Sequence, residues 1–134
     1  MKPTLATQAR RILIVDDHDD GRKMLQIMLS VRGHHILDAA DGATALQIAL
    51  SERPDVAIVD IGLPGVDGYE VARRLRADPR TTAIVLIALT GYGHEDDRQE
   101  ALAAGFDVHL VKPVIPEQLE QALQDLLHPH STDF

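Results

Sequence analysis

The chain has no cysteine, so it has neither a disulfide framework nor a thiol nucleophile. It also lacks any run of lysine and arginine: 13 basic residues are spread against 21 acidic ones, for a formal net charge of -8. That balance repels nucleic acid and anionic membranes and argues against direct DNA binding. No apolar stretch approaches the roughly 20 residues that cross a bilayer. The start, Met1-Lys2-Pro3-Thr4, lacks the apolar core of a secretory signal. Together these absences predict a cytoplasmic chain without direct membrane contact. Internal repeats and low-complexity tracts are missing too, and 134 residues suit one domain with a single site.

What the chain does have is alternation. Residues 1–9 and 129–134 read as polar tails around a folded unit at 10–128. Within that unit, apolar runs of strand length alternate with stretches of helical period. The first helix follows Asp16-Asp17, with Met24, Ile27, Met28 and Val31 as the stripe expected to face a sheet and Gly33 as its stop. His35 to Ala39 is a weaker strand; Asp41-Gly42 then opens a helix carrying Ala45, Leu46, Ala49 and Leu50. After Asp60 the Gly- and Pro-rich segment Ile61 to Gly68 predicts a shaped loop, before a helix marked by Val71, Ala72 and Leu75. The segment from His94 to Ala104 is helical but mostly charged, which predicts loose packing. Pro116 starts the last helix, with Leu119, Ala122, Leu123 and Leu126 as its stripe. Five strands with intervening helices predict an α/β fold, a parallel sheet covered on both faces, with the polar second and fifth strands at its edges.

Four of the strands end on residues with related chemistry. Ile12 to Val15 stops at Asp16-Asp17, Val56 to Val59 at Asp60, Ala83 to Leu89 at Thr90, and Val108 to Val111 at Lys112. Parallel strands bring these side chains to one edge, outside the carboxyl ends where open α/β sheets place their sites. Acids gathered there repel one another and call for a cation. Mg²⁺ suits them, because it prefers oxygen ligands and is commonly held by one or two carboxylates plus a phosphate oxygen. Lys112 then supplies a fixed positive charge, Thr90 a hydroxyl donor, and the Gly91-Tyr92-Gly93 backbone close N–H groups. Asp60 is left as a nucleophile able to form an acyl phosphate. Singly, each has an ordinary explanation: the acid pair as helix N-capping residues, Asp60 as a turn residue, Thr90 and Lys112 as structural or solvated groups. Their order and spacing together favour one site. His34-His35 and His128-Pro129-His130 lack a carboxylate or cysteine at ligand spacing and are expected on the surface. His18 is expected in the first turn of its helix.

These residues resemble the signature of response-regulator receiver domains of two-component signalling, including the receivers of hybrid histidine kinases, over about residues 10–128. The resemblance implies a flavodoxin-like (βα)5 three-layer sandwich with strand order 2-1-3-4-5, acting as a monomer or weak dimer. It implies phosphoryl transfer to Asp60 from a histidine kinase or histidine phosphotransfer protein. Asp17 would bind Mg²⁺ directly, Asp16 largely through water, and the Gly62 carbonyl would be a backbone ligand. Thr90 and Lys112 would hold the phosphoryl group, and Pro113 would follow Lys112 through a cis bond. Leu63 to Gly68 matches the family's loop, and the fourth helix, fifth strand and fifth helix would form a partner surface for an effector or kinase core. One departure stands out: His109 occupies the fifth-strand position where family members often carry Tyr or Phe. Tyr92 is a candidate for a residue over the site entrance. Two rival readings are a haloacid-dehalogenase-like phosphohydrolase built on Asp17-His18-Asp19, and a receiver-shaped interaction module that takes no phosphate.

Overall fold

Ile12 and Ile14 face one side of the first strand and Leu13 and Val15 the other, and all four are buried. A strand buried on both faces belongs inside a parallel sheet. The computed structural model, which describes residues 9–62, 67–91 and 95–127, places it there. Among these residues lie β1 (Arg11–Val15), α1 (Asp19–Ser30), β2 (His35–Ala39), α2 (Gly42–Glu52), β3 (Val56–Asp60), α3 (Gly68–Ala77), β4 (Val85–Thr90), α4 (Glu95–Ala104), β5 (Val108–Val111) and α5 (Pro116–Leu127). The five strands pair in parallel in the order β2-β1-β3-β4-β5. The polar strands β2 and β5 are the edges, as expected. The terminal tails, the loop residues Leu63 to Val66, Tyr92 and His128 to His130 lie outside the described residues.

The period-2 alternation of the strands divides the core into two layers. Leu13, Val15, Ala57, Val59, Leu86 and Ala88 pack with Ala45 and Ala49 of α2, Val71, Ala72 and Leu75 of α3, and Ala101 and Ala104 of α4. Ile12, Ile14, Val56, Ile58, Ile87 and Leu89 pack with Leu25 and Leu29 of α1 and Leu119 and Leu123 of α5. Helices therefore cover both faces of the sheet, the three-layer flavodoxin-like arrangement.

Local signals set several boundaries. Asp41 caps α2 by accepting a hydrogen bond from the Thr44 N–H at 2.7 Å, and Asp67 caps α3 through the Glu70 N–H at 2.9 Å. The Thr44 N–H holds the Asp41 carboxyl below its ordinary pKa. Pro116 opens α5, and Gly33 turns the chain with φ 89°. β4 begins at Val85 rather than Ala83, because residues 81–83 form a turn.

Two expectations are corrected. On α1, Met24, Ile27 and Val31 are 60%, 62% and 78% exposed, whereas Leu25 and Leu29 are buried; of the expected stripe only Met28 packs on the core. The helix is rotated by about one residue from that reading, so its two leucines, four apart, meet the sheet. His34 is not a surface residue: its side chain is 5% exposed, Nδ1 accepts the Arg10 N–H at 3.1 Å, and Nε2 lies 3.4 Å from Glu120 of α5. Arg32 approaches the same carboxylate at 3.5 Å. Glu120 is far away in sequence, and folding alone supplies it as a partner.

Arg76 fastens the end of α3 to the loop between α4 and β5 and to the segment that leads into β4. Its guanidinium donates to the carbonyls of Gly105, Thr82 and Ile84 at 2.8, 2.6 and 2.6 Å and to Asp107 at 2.8 Å. Asp107 in turn accepts the Leu86 N–H at 2.8 Å. Gly105 adopts φ 116°, and a Cβ there would stand 2.7 Å from Arg76 Cγ, so this tie needs glycine.

Candidate functional site

The carboxyl ends of β1, β3, β4 and β5 carry Asp16-Asp17, Asp60, Thr90 and Lys112, and parallel pairing puts all of them at one edge of the sheet. Asp16, Asp60 and Thr90 are buried polar groups, at 2%, 6% and 4% exposure. Burial of this kind demands partners, and the carboxylates have them. Asp60 Oδ2 accepts from Lys112 Nζ at 2.9 Å and Oδ1 from the Gly62 N–H at 2.9 Å. Asp16 Oδ1 accepts the His18 N–H at 2.9 Å, and its Oδ2 lies 3.8 Å from Lys112 Nζ. The Lys112 amide donates to the Thr90 carbonyl at 2.8 Å, which registers the lysine against the end of β4. The Lys112-Pro113 peptide bond is cis.

The backbone around Asp60 is held closely. A Cβ on Gly68, the first residue of α3, would lie 2.5 Å from Ile61 Cα and 2.8 Å from the Asp60 carbonyl oxygen. Glycine therefore lets α3 start directly against the strand end that presents the acid. Beside it, Tyr69 has a phenol pKa raised chiefly by burial and secondarily by Glu100, Asp97 and Asp67.

Arg22 ties the acidic corner together, a role not evident in the sequence. Its guanidinium donates to the Asp16 carbonyl at 2.7 Å, Asp19 at 2.7 Å and Asp38 at 3.0 Å, joining the end of β1 to α1 and β2. Its place one turn into α1 was the available signal; its reach to Asp38 of β2 depends on the fold.

The donor set fits a divalent cation. One ligand atom each from Asp16, Asp17, His18 and Asp60 gathers within a mutual distance of 4.8 Å. One ammonium faces three carboxylates, so the pocket stays anionic, and hard oxygen donors at that spacing suit an ion of the Mg²⁺ kind. Of the residues expected at the site, Asp16, Asp17 and Asp60 gather together, and Lys112 reaches Asp60 and Asp16. Thr90 stands buried at the same edge and Gly62 contributes its amide. His109 pairs in register with Ala88 on β4, and its Nε2 is buried without a hydrogen-bond partner among the described residues.

The model of the response regulator receiver domain family matches residues 12–124. The chain belongs to that family. It is 39% identical over 113 residues to an uncharacterized 14.6 kDa protein of Leptolyngbya boryana, covering 84% of this chain and 86% of that protein. It is 36% identical over 118 residues to the phosphate regulon transcriptional regulatory protein PhoB of Pseudomonas aeruginosa, covering 88% of this chain and 52% of PhoB. The receiver thus spans about half the length of the transcriptional regulators it matches. Among solved structures, the receiver domain of the Pseudomonas aeruginosa sensor histidine kinase PA1611 superposes with a TM-score of 0.83 at 32% identity, covering 90% of this chain and 98% of that one. That structure holds a magnesium ion in its active-site cleft. The chain is therefore a receiver domain of two-component signalling, and the phosphohydrolase reading falls away. No helix among the described residues is long and apolar enough to cross a membrane.

Proposed function

We propose that this receiver takes a phosphoryl group onto Asp60 from the phosphohistidine of a histidine kinase or histidine phosphotransfer protein, and later loses it to water. The observation that carries the reading is the buried Asp60 carboxylate with Lys112 Nζ at 2.9 Å and the acid pair of β1 beside it. A carboxylate oxygen of Asp60 attacks phosphorus, the O–P bond forms as the donor's N–P bond breaks, and the freed imidazole takes a proton from solvent. Lys112 leaves its pairing with the carboxylate for a phosphoryl oxygen, and the Thr90 hydroxyl donates to another. Hydrolysis reverses the charge change: water attacks phosphorus, and inorganic phosphate departs as the Asp60 carboxylate is restored.

Asp16, Asp17 and Asp60, with the Gly62 carbonyl, would hold Mg²⁺. When bound, that ion supplies positive charge for the phosphoryl oxygens. The receiver thus assists its own phosphorylation and dephosphorylation without acting on a separate substrate. A receiver fed by a kinase works where ATP is present, which supports reading it as a cytoplasmic domain.

The apolar face of α1 supports a docking role for the phosphodonor. Met24, Ile27 and Val31 are exposed, and so is Ile115 at 51%, just before α5. α1 and α5 share one core layer, so the helix that starts at the acid pair and the loop that follows Lys112 flank the pocket on the same face. This stripe begins near the pocket at Met24 and runs away from it along α1, and its near end together with Ile115 suits a helical phosphodonor.

Incubation with acetyl phosphate and Mg²⁺, followed by mass measurement, tests the reading. The wild type gains one phosphoryl group, and Asp60→Asn gains none while keeping its fold, because the two side chains are nearly the same size. Beryllofluoride with Mg²⁺ should raise the melting temperature of the wild type through binding to the folded state. No gain in mass and no thermal shift would favour a receiver-shaped module that takes no phosphate.

A further inference from the structure

His18 stands at the N-cap of α1, yet its side chain makes no capping hydrogen bond. The ring turns toward the acids: Nδ1 lies 3.2 Å from Asp16 Oδ1, 3.3 Å from Asp17 Oδ1 and 3.9 Å from Asp60 Oδ2. The side chain is 70% exposed, so packing does not hold the ring there. Its backbone N–H is anchored on Asp16 Oδ1 at 2.9 Å, which keeps the imidazole over the pocket mouth.

We propose that His18 Nδ1 is a ligand of the divalent ion in this pocket, and that this nitrogen shifts the site's preference from Mg²⁺ toward later first-row ions such as Co²⁺. The proposal rests on reading the acid pocket as a cation site. Ligands of a six-coordinate ion at about 2.1 Å stand about 3 Å apart when adjacent and about 4.2 Å apart when opposite. The spacing of the three carboxylates and Nδ1, all within 4.8 Å of one another, needs little adjustment to meet that geometry. With its proton on the outward Nε2, a neutral imidazole presents the Nδ1 lone pair to the ion; with the proton on Nδ1 it donates to the carboxylates instead. Mg²⁺ gains little from exchanging oxygen for nitrogen, whereas imidazole binds later first-row ions increasingly well. A ligand supplied at the pocket rim thus sets which ion occupies the site without altering the acids that hold it.

The test uses the full chain loaded with Mn²⁺ and examined by electron spin-echo envelope modulation, which detects a nitrogen bonded to the ion. Asp17→Asn serves as a background control for binding at other histidines, including His35 and the tail. The wild type is expected to show imidazole-nitrogen modulation that His18→Ala loses while Mn²⁺ remains bound. In competition titrations, the ratio of Co²⁺ to Mg²⁺ affinity is expected to fall about tenfold in His18→Ala. Nitrogen modulation unchanged in His18→Ala, or absent from a wild type that binds Mn²⁺ in the pocket, would overturn His18 as a ligand and leave the cation site standing. A wild type that binds no divalent ion beyond the Asp17→Asn background would overturn both.

Discussion

Lys112 Nζ and Asp60 Oδ2 stand 2.9 Å apart across 52 residues of sequence. β4 lies between their strands in the sheet, and the pair closes over its end beside Thr90. A cation held against a buried acid, itself beside two further acids, gives the pocket an electrostatic imbalance that substitutions can probe.

Removing one acid should relieve it. Asp17→Asn is expected to stabilise the metal-free protein by about 1 kcal/mol, the scale of a like-charge contact at about 4 Å screened by bulk water. The same change should abolish the rise in melting temperature on adding Mg²⁺. Thermal melts with and without the ion check both halves; a destabilised variant that still responds to Mg²⁺ would contradict the description of the pocket.

The start of α3 should be equally sensitive. Gly68→Ala puts a Cβ 2.5 Å from Ile61 Cα, and neither backbone can yield cheaply. A stability loss of about 1–3 kcal/mol is expected from overpacking. Displacement of the neighbouring Asp60 should also slow labelling by acetyl phosphate. Denaturant melts and labelling rates measure the two effects separately.

The rotation of α1 yields a contrast along one helix. Leu29→Ala should cost about 2–5 kcal/mol because Leu29 is a buried core residue. Ile27→Glu should change stability by less than about 0.5 kcal/mol. It should nevertheless slow phosphoryl transfer from a kinase while leaving labelling by acetyl phosphate intact. Equal transfer from both donors in Ile27→Glu would remove this face from the docking surface.

How far the sequence could be read depended on whether the information was local. β1 and β3 announced themselves as central by being apolar on both faces, and β2 and β5 as edges by their polar residues. The site was legible because strand ends in a parallel sheet share an edge, so Asp16, Asp60, Thr90 and Lys112 followed from where each run stopped. The orientation of α1 was not, because apolar residues at 24, 25, 27, 28, 29 and 31 cover so much of the helix that two stripes fit. Contact with the sheet chose Leu25 and Leu29. The pairing of His34 with Glu120, the grip of Arg76 on the Gly105 carbonyl and the contact of Gly68 with Ile61 are tertiary facts without a periodic trace.

Acid should remove one surface contribution in a defined window. The Arg80 side-chain hydrogen bond, followed by the Arg80 N–H, lowers the Asp78 carboxyl from 3.8 to about 2. A carboxyl depressed in the folded state stabilises it above the unfolded value, and that contribution fades as pH falls from near 3.8 toward about 2. Wild type and Asp78→Asn should therefore differ in melting temperature at pH 5 and converge near pH 2. A difference that grows on acidification would contradict the assignment.

The most direct test of the central claim is to phosphorylate the protein with Mg²⁺ and a small donor, trap the acyl phosphate by borohydride reduction, and locate the modified residue by peptide mass spectrometry. The modification is predicted on Asp60 and should vanish in Asp60→Asn. Its appearance on Asp17, or its persistence in Asp60→Asn, would contradict the account.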